Sequence, residues 1–146
     1  MVTAVIDRLL KSVLAVRSTD STNPAFGTAY AIKHDDTTTY LATCAHVVRD
    51  VGGETKVRIE RQPAGIVAYG SPEGADDVAV LRTGRLDVPS LPLAFDAEPG
   101  RRVYVLGFRP IQTQSGLLAA MPIKATLGTV MALESPHGRS RPDCRA

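Results

Sequence analysis

The apolar positions at the start of the chain recur at helical spacing, and the pattern then becomes strand-like. Val2, Val5, Ile6, Leu9 and Leu10 are separated by three or four residues or are adjacent, which places them on one face of a helix. We therefore predict a short N-terminal helix within residues 1–12. A brief apolar run follows over residues 13–16, and it is typical of a buried strand.

Short apolar or alternating segments fill most of the remaining chain. Strands are predicted over residues 13–16, 27–32, 37–43, 56–60, 65–69, 78–82, 103–107 and 124–131. Glycine and proline residues between these segments mark turns, and residues 45–50 are predicted to form a helical turn. Many short strands at nearly regular spacing favour an all-β sandwich or barrel.

A proline-rich segment over residues 86–99 ends the densest set of strands. We place a boundary there, with residues 13–95 as a first unit and residues 96–146 as a second. The end of the chain, residues 134–146, is polar and prolyl and has no periodicity. We expect it to form a loop or a frayed end.

Composition and charge exclude some kinds of binding partner and indicate a cellular location. The net charge is +2 and no dense basic tract occurs, so a nucleic-acid or membrane partner is not expected. No segment approaches the roughly 20 apolar residues that span a bilayer, and Asp7 and Arg8 interrupt the first apolar run. Cys44 and Cys144 are expected to be free thiols, and a single long-range disulfide bridge between them is the alternative. These features predict a cytoplasmic protein with no signal peptide.

A histidine follows the strand predicted over residues 37–43. It stands in the segment Leu41-Ala42-Thr43-Cys44-Ala45-His46-Val47-Val48. Histidine suits proton transfer because its ordinary pKa lies near neutrality, and the small Ala45 leaves room for a substrate beside the ring. A histidine next to an apolar strand is also often structural, so this segment alone leaves both interpretations open.

An aspartate stands directly before the strand predicted over residues 78–82, in Asp76-Asp77-Val78-Ala79-Val80-Leu81. A carboxylate at the entrance to a core strand costs free energy unless it has a partner, and the Nδ1–H group of a histidine is a suitable one. A solvated turn is the alternative. About two strands separate His46 from Asp77, so both can belong to one barrel.

Together these segments resemble the first barrel of the trypsin-like (chymotrypsin-fold) serine peptidases. Thr43-Cys44-Ala45-His46 is similar to the family's Thr-Ala-Ala-His signature, and Asp77-Val78-Ala79-Val80 is similar to its Asp-Ile-Ala-Leu signature. Residues 27–32 resemble an early strand of that barrel, and residues 100–110 and 128–130 resemble strands of the second barrel. The resemblance is nearest to the bacterial HtrA-like branch.

The resemblance implies a fold and two site residues. It implies an all-β, chymotrypsin-like antiparallel barrel, complete over residues 13–95 and followed by a partial second barrel over residues 96–146. His46 would be the general base and Asp77 its orienting partner, in the family's order of His, Asp and Ser. Cys44 has no partner across the His loop, so we expect it to be a small buried apolar residue.

The family's nucleophile motif, Gly-Asp-Ser-Gly-Gly, does not occur in these 146 residues. In relatives it follows the hairpin that corresponds to residues 128–130, so we expect the chain to stop before it and to lack the nucleophile and oxyanion hole. Ser115 comes too early in the family order to replace it. Cys144 is followed by Arg145-Ala146 where two glycines should stand, so it also fits the position poorly.

The expected function is that of a serine endopeptidase that acts on proteins or peptides and is inactive as this chain stands. We expect no cofactor and no metal site, because the three histidines lack ligand spacing. The alternative is a non-catalytic interaction module that keeps the barrel. Half of a second barrel would expose apolar side chains and so favour self-association; these are Val103, Val105, Leu106, Val130 and Met131.

Overall fold

The computed structural model describes residues 2–94, 97–108, 110–112, 118–120 and 124–130. Short strands dominate these residues, as the turn spacing predicts, and two short helices accompany them. The helices are α1 (Val2–Leu10) and α2 (Ala45–Asp50). The strands are β1 (Val13–Ser18), β2 (Phe26–His34), β3 (Thr38–Thr43), β4 (Val57–Ile59), β5 (Gln62–Pro63), β6 (Gly65–Tyr69), β7 (Ala79–Gly84), β8 (Arg102–Gly107), β9 (Pro110–Gln112), β10 (Leu118–Ala120) and β11 (Lys124–Thr129).

The first seven strands form one antiparallel sheet in the order β5-β4-β1-β2-β3-β7-β6. Its two outer strands, β5 and β6, are separated only by Ala64, so the chain itself links the two edges of the sheet. The Thr83 hydroxyl of β7 also donates to the Pro63 carbonyl of β5 at 3.0 Å. The sheet is therefore a nearly closed barrel, which leaves few strand edges unpaired.

The barrel is filled by aliphatic side chains from alternate strand positions and from α2. In β3 and β7 every second residue is buried, the period-2 pattern of a strand with one face against a core. The core residues with 1% or less exposure include Val16, Leu41, Val48, Val51, Val57, Ile59 and Leu81. Val48 and Val51 pack the end of α2 against the barrel. This packing fixes the position of the helix that carries His46.

The proline-rich segment after β7 packs across β2. Leu91 N–H donates to the Ala31 carbonyl at 2.7 Å, and the Ser12 hydroxyl donates to the Pro89 carbonyl at 2.7 Å. His34 is the last residue of β2, and its Nε2 lies 2.6 Å from the Val88 carbonyl oxygen. The His34 ring therefore links the strand to this segment, a structural role that its place beside a turn does not reveal.

Strand β8 pairs with β11, and the end of β8 packs against β2. The Tyr30 hydroxyl donates to the Leu106 carbonyl, and the Phe108 N–H donates to Thr28 Oγ1 at 3.0 Å. Gly107 lies so close to β2 that a Cβ there would be 3.2 Å from Thr28 Oγ1. These contacts bring Phe108 to the side of the barrel that carries α2.

The apolar side chains predicted to be exposed after residue 100 differ in their actual exposure. Val105 is 47% exposed, Val103 and Val130 are half-buried, and Leu106 is only 7% exposed. Tyr104, which is not among the predicted residues, is 48% exposed. Leu106 is covered because the end of β8 packs on β2. Met131 lies outside the described residues, and the division of the chain at residue 95 stays a prediction.

The fold class predicted from the sequence, all-β with a short N-terminal helix, is confirmed. The helical turn at residues 45–50 and the strand at residues 65–69 have the predicted bounds. Neither of the helices in the described residues has the length and apolar character needed to cross a membrane.

Candidate active site

His46 lies in the first turn of α2, directly after β3. Thr43 is buried at the end of the strand, and its hydroxyl donates to the Thr28 carbonyl at 2.8 Å. Ala45, Val47 and Val48 are buried, whereas the His46 side chain is 42% exposed, so His46 lies on the solvent side of the helix. The helix ends at Asp50 and is followed by Gly52 and Gly53, whose φ values of 113° and 92° favour glycine in both positions.

Asp77 is held in a tight loop between β6 and β7. Gly70 N–H donates to the Val78 carbonyl at 2.8 Å, and Ser71 N–H donates to the Asp76 carbonyl at 3.2 Å. At Gly70 the two arms of the loop come so close that a Cβ there would lie 2.8 Å from the Val78 carbonyl oxygen and closer still to that of Asp76. Only a residue without a side chain fits there, and this close contact fixes the backbone on both sides of Asp77.

The two predicted site residues are in contact. His46 Nδ1 lies 2.6 Å from Asp77 Oδ2, and the His46 backbone N–H donates to Asp77 Oδ1 at 2.8 Å. One carboxylate therefore holds both the ring and the main chain of the histidine. The His46 side chain is 42% exposed and that of Asp77 is 30% exposed, so the pair lies at the surface of the barrel.

The contact with His46 also changes the acidity of Asp77. The hydrogen bond from the His46 side chain, and after it the one from the His46 backbone, holds the pKa of the Asp77 carboxyl below its ordinary value of 3.8. Cys44, the N-cap residue of α2, makes no side-chain capping bond. Asp77, which is distant in the sequence, caps the helix instead, because its carboxylate accepts a hydrogen bond from an N–H of the first turn.

This lowered pKa predicts a pH-dependent contribution to stability. The folded chain binds the Asp77 proton less tightly than the unfolded chain does, so the contribution is complete above pH 3.8 and is lost as the pH falls through the lower folded pKa. We expect Asp77→Asn to be less stable than the wild type near neutrality, with a gap that narrows as the pH falls below 3.8. Denaturant unfolding of both proteins across this range measures the gap, and a gap that stays constant would contradict the interpretation.

An open groove of about 510 Å³ lies beside His46. It is lined by the loop of residues 23–27, by His46, Val47 and Asp50 of α2, and by Phe108. Gly27 allows β2 to lie directly against the helix, because a Cβ there would be 2.6 Å from Val47 Cγ2. The groove gives an extended ligand access to the histidine from one side, between α2 and the end of β8.

The model of the trypsin-like peptidase domain family matches residues 27–145, which contain both site residues and most of the residues that line the groove. The chain belongs to the trypsin-like peptidase family. The matched region begins in β2, beside α2, and includes β3 and β7, the strands that lead to His46 and Asp77.

A solved structure has a similar fold. The active form of the Rv3671c protease from M. tuberculosis is 28% identical to this chain and superposes with a TM-score of 0.56. The match covers 88% of this chain and 51% of the Rv3671c chain, so the chain spans about half the length of that relative. A search of curated proteins finds no match.

The expectation that Cys44 is a buried apolar residue is wrong. Cys44 is exposed and free, while its neighbours Thr43 and Ala45 are buried. Desolvation by the surrounding atoms, and then the negative charge of Asp77, raises the pKa of the Cys44 thiol. The sequence holds a signal for this exposure, because the alternation of β3 that buries Leu41 and Thr43 turns the next residue outward.

The two candidate substitutes for the nucleophile, Ser115 and Cys144, both lie outside the described residues. Within the described part of the chain, one group of three potential metal ligands occurs, formed by Cys44, His46 and Asp77. Histidine spacing alone did not reveal this group, because its cysteine and carboxylate come from two different connections of the barrel.

Proposed function

We propose that these residues form the His–Asp part of a serine endopeptidase that cleaves protein or peptide substrates. The observation that supports it best is the double contact of Asp77, which lies 2.6 Å from His46 Nδ1 and accepts the His46 N–H. The alternative is a solvated aspartate in a turn. Such a residue would not be expected to contact one histidine through both carboxylate oxygens. A non-catalytic module has no requirement for this pair either.

The roles of the two residues follow from the arrangement. With Nδ1–H donating to Asp77, the lone pair of the neutral imidazole is on Nε2, the nitrogen that accepts a proton from a serine hydroxyl. The serine oxygen then attacks the peptide carbonyl, and His46 returns the proton to the leaving amine. Asp77 stays ionised and stabilises the imidazolium that forms between these steps.

The nucleophile in this proposal comes from a serine segment that follows these residues in the family order. No Gly-Asp-Ser-Gly-Gly motif occurs among the 146 residues, and the match covers only 51% of the Rv3671c chain. Tyr104 and Val105 are each about half exposed on β8. That apolar surface is suited to cover by the remaining strands of a second barrel, and without them it favours self-association.

The first test uses the 146-residue chain alone. We expect no hydrolysis of casein or fluorogenic peptides and no labelling by a fluorophosphonate, because a His–Asp pair without a nucleophile has no covalent route. The same chain, extended with the C-terminal strands of a related protease, is expected to gain both activities. Labelling of the unextended chain that is lost in Ser115→Ala would contradict the proposal, as would iodoacetamide hyperreactivity of Cys144 that requires His46.

A further inference from the structure

A cysteine, a histidine and a carboxylate meet at the N-terminal end of α2. One ligand atom each of Cys44, His46 and Asp77 lies within 4.8 Å of the other two. All three side chains have solvent access, since Cys44 is exposed and the His46 and Asp77 side chains are 42% and 30% exposed. The cluster is therefore open to a dissolved ion, and its side chains have room to adjust.

The three donors form a set that suits one kind of cation. Thiolate sulfur, imidazole nitrogen and carboxylate oxygen are the common ligands of zinc, whereas calcium and magnesium prefer oxygen alone. In a tetrahedral zinc site, bonds of about 2.0–2.3 Å place the ligand atoms about 3.3–3.6 Å apart. The separations in the cluster are at most 4.8 Å, so the widest pair has to close by about 1 Å. The 2.6 Å pair of His46 Nδ1 and Asp77 Oδ2 has to open by about 1 Å if Nδ1 is the ligand. Side-chain rotation at an exposed site supplies both movements.

We propose that Cys44, His46 and Asp77 bind a zinc ion, with water completing the coordination. The Cys44 thiol loses its proton to solvent as the Zn–S bond forms, because the thiolate is the ligand. His46 contributes one ring nitrogen. A metal on Nδ1 displaces the bond to Asp77, and a metal on Nε2 occupies the position that accepts the proton of the serine.

Either mode of binding removes His46 from proton transfer, so the ion is an inhibitor. This consequence rests on the proposed peptidase function, whereas the binding itself does not. Cys44 is the residue that makes the site particular to this chain, since the family signature has alanine where Cys44 stands. Zinc then regulates the enzyme through a residue that takes no part in the reaction.

Binding is measured on the 146-residue chain by calorimetric titration with zinc chloride, with Cys144→Ser as the parent so that Cys44 is the only thiol. We expect one zinc ion per chain. Adding Cys44→Ser is expected to weaken binding by more than the about 10–100-fold seen when an outer partner of a ligand is lost. Titration with cobalt(II) supplies a second readout, a thiolate-to-metal absorption band that is present in the parent and absent after Cys44→Ser.

Two further variants identify the other ligands. His46→Ala is expected to weaken zinc binding as strongly as Cys44→Ser, and His137→Ala serves as the matched control with unchanged affinity. Equal affinity of the parent and Cys44→Ser, or a cobalt band that survives Cys44→Ser, would overturn the site. These measurements use no peptide substrate, so they separate failure of the zinc site from failure of the peptidase proposal.

Discussion

Asp77→Asn is expected to lower kcat/KM by about 10⁴-fold in the chain extended with serine-bearing strands, the size of effect known for this replacement in a Ser-His-Asp triad. The replacement keeps the shape of the side chain and removes its charge. The large effect comes from the hydrogen bonds, because Asp77 faces two groups on His46 and both are donors in the active arrangement.

An asparagine satisfies only one of those donors. If its oxygen accepts the His46 N–H, its amide group faces Nδ1, which must then act as an acceptor. The proton of the neutral ring moves to Nε2, and the nitrogen that should take the serine proton already holds one. The Asp77→Asn replacement therefore stabilises the wrong tautomer of His46, and the rate falls without a large change in the fold.

Asp76→Asn is the matched control for this prediction. Asp76 is the neighbouring residue and is exposed, so the substitution makes the same change in charge beside the site. We expect its kcat/KM to stay close to that of the wild type. If Asp76→Asn and Asp77→Asn lose the same activity, the effect is one of local charge, and the assignment of Asp77 as the partner of His46 is wrong.

Gly70→Ala is expected to destabilise the chain by about 1–3 kcal/mol or more, the range for forced overpacking. The added Cβ would lie 2.8 Å from the Val78 carbonyl oxygen and closer to that of Asp76. Both neighbours are backbone atoms, so no side-chain rotation relieves the contact. The loop must open, and this moves Asp77 away from His46.

Gly65→Ala provides the control for Gly70→Ala. Gly65 begins β6, the strand that leads to Gly70, and a Cβ there would lie 3.4 Å from the flexible Arg82 side chain. We expect its free energy of unfolding, measured in urea, to stay within about 0.5 kcal/mol of the wild type. Equal stabilities of Gly65→Ala and Gly70→Ala would show that the loop around Asp77 is not tightly packed.

The sequence predicts those features that depend on local periodicity. Three of these features depend only on residues that are close in the sequence. They are the alternation of buried residues in β3 and β7, the glycines after residue 51, and the turn residues between strands. The contact between His46 and Asp77 was predicted from the resemblance of two segments to family signatures, and not from local periodicity. Strand pairing of β3 with β7 places Thr43 opposite Ala79, beside both residues.

Features that depend on distant packing were not predictable. β5 has two residues and includes a proline, so no strand signal marks it, yet it closes the barrel. Leu106 is buried where the end of β8 contacts Tyr30 and Thr28 of β2, which lie far away in the sequence. The glycine requirement at position 70 arises from the carbonyl groups of residues 76 and 78, and no pattern around Gly70 reveals their approach.

The most direct measurement is fluorophosphonate labelling of the chain extended with the serine-bearing strands of a related protease, followed by mass spectrometry of the labelled peptide. This reagent reacts with a serine only when a base activates it. We predict labelling of the added serine in the wild-type extension and in His137→Ala, and none above background in His46→Ala. Labelling of that serine at an unchanged rate in His46→Ala would show that His46 is not the base, and would contradict the account.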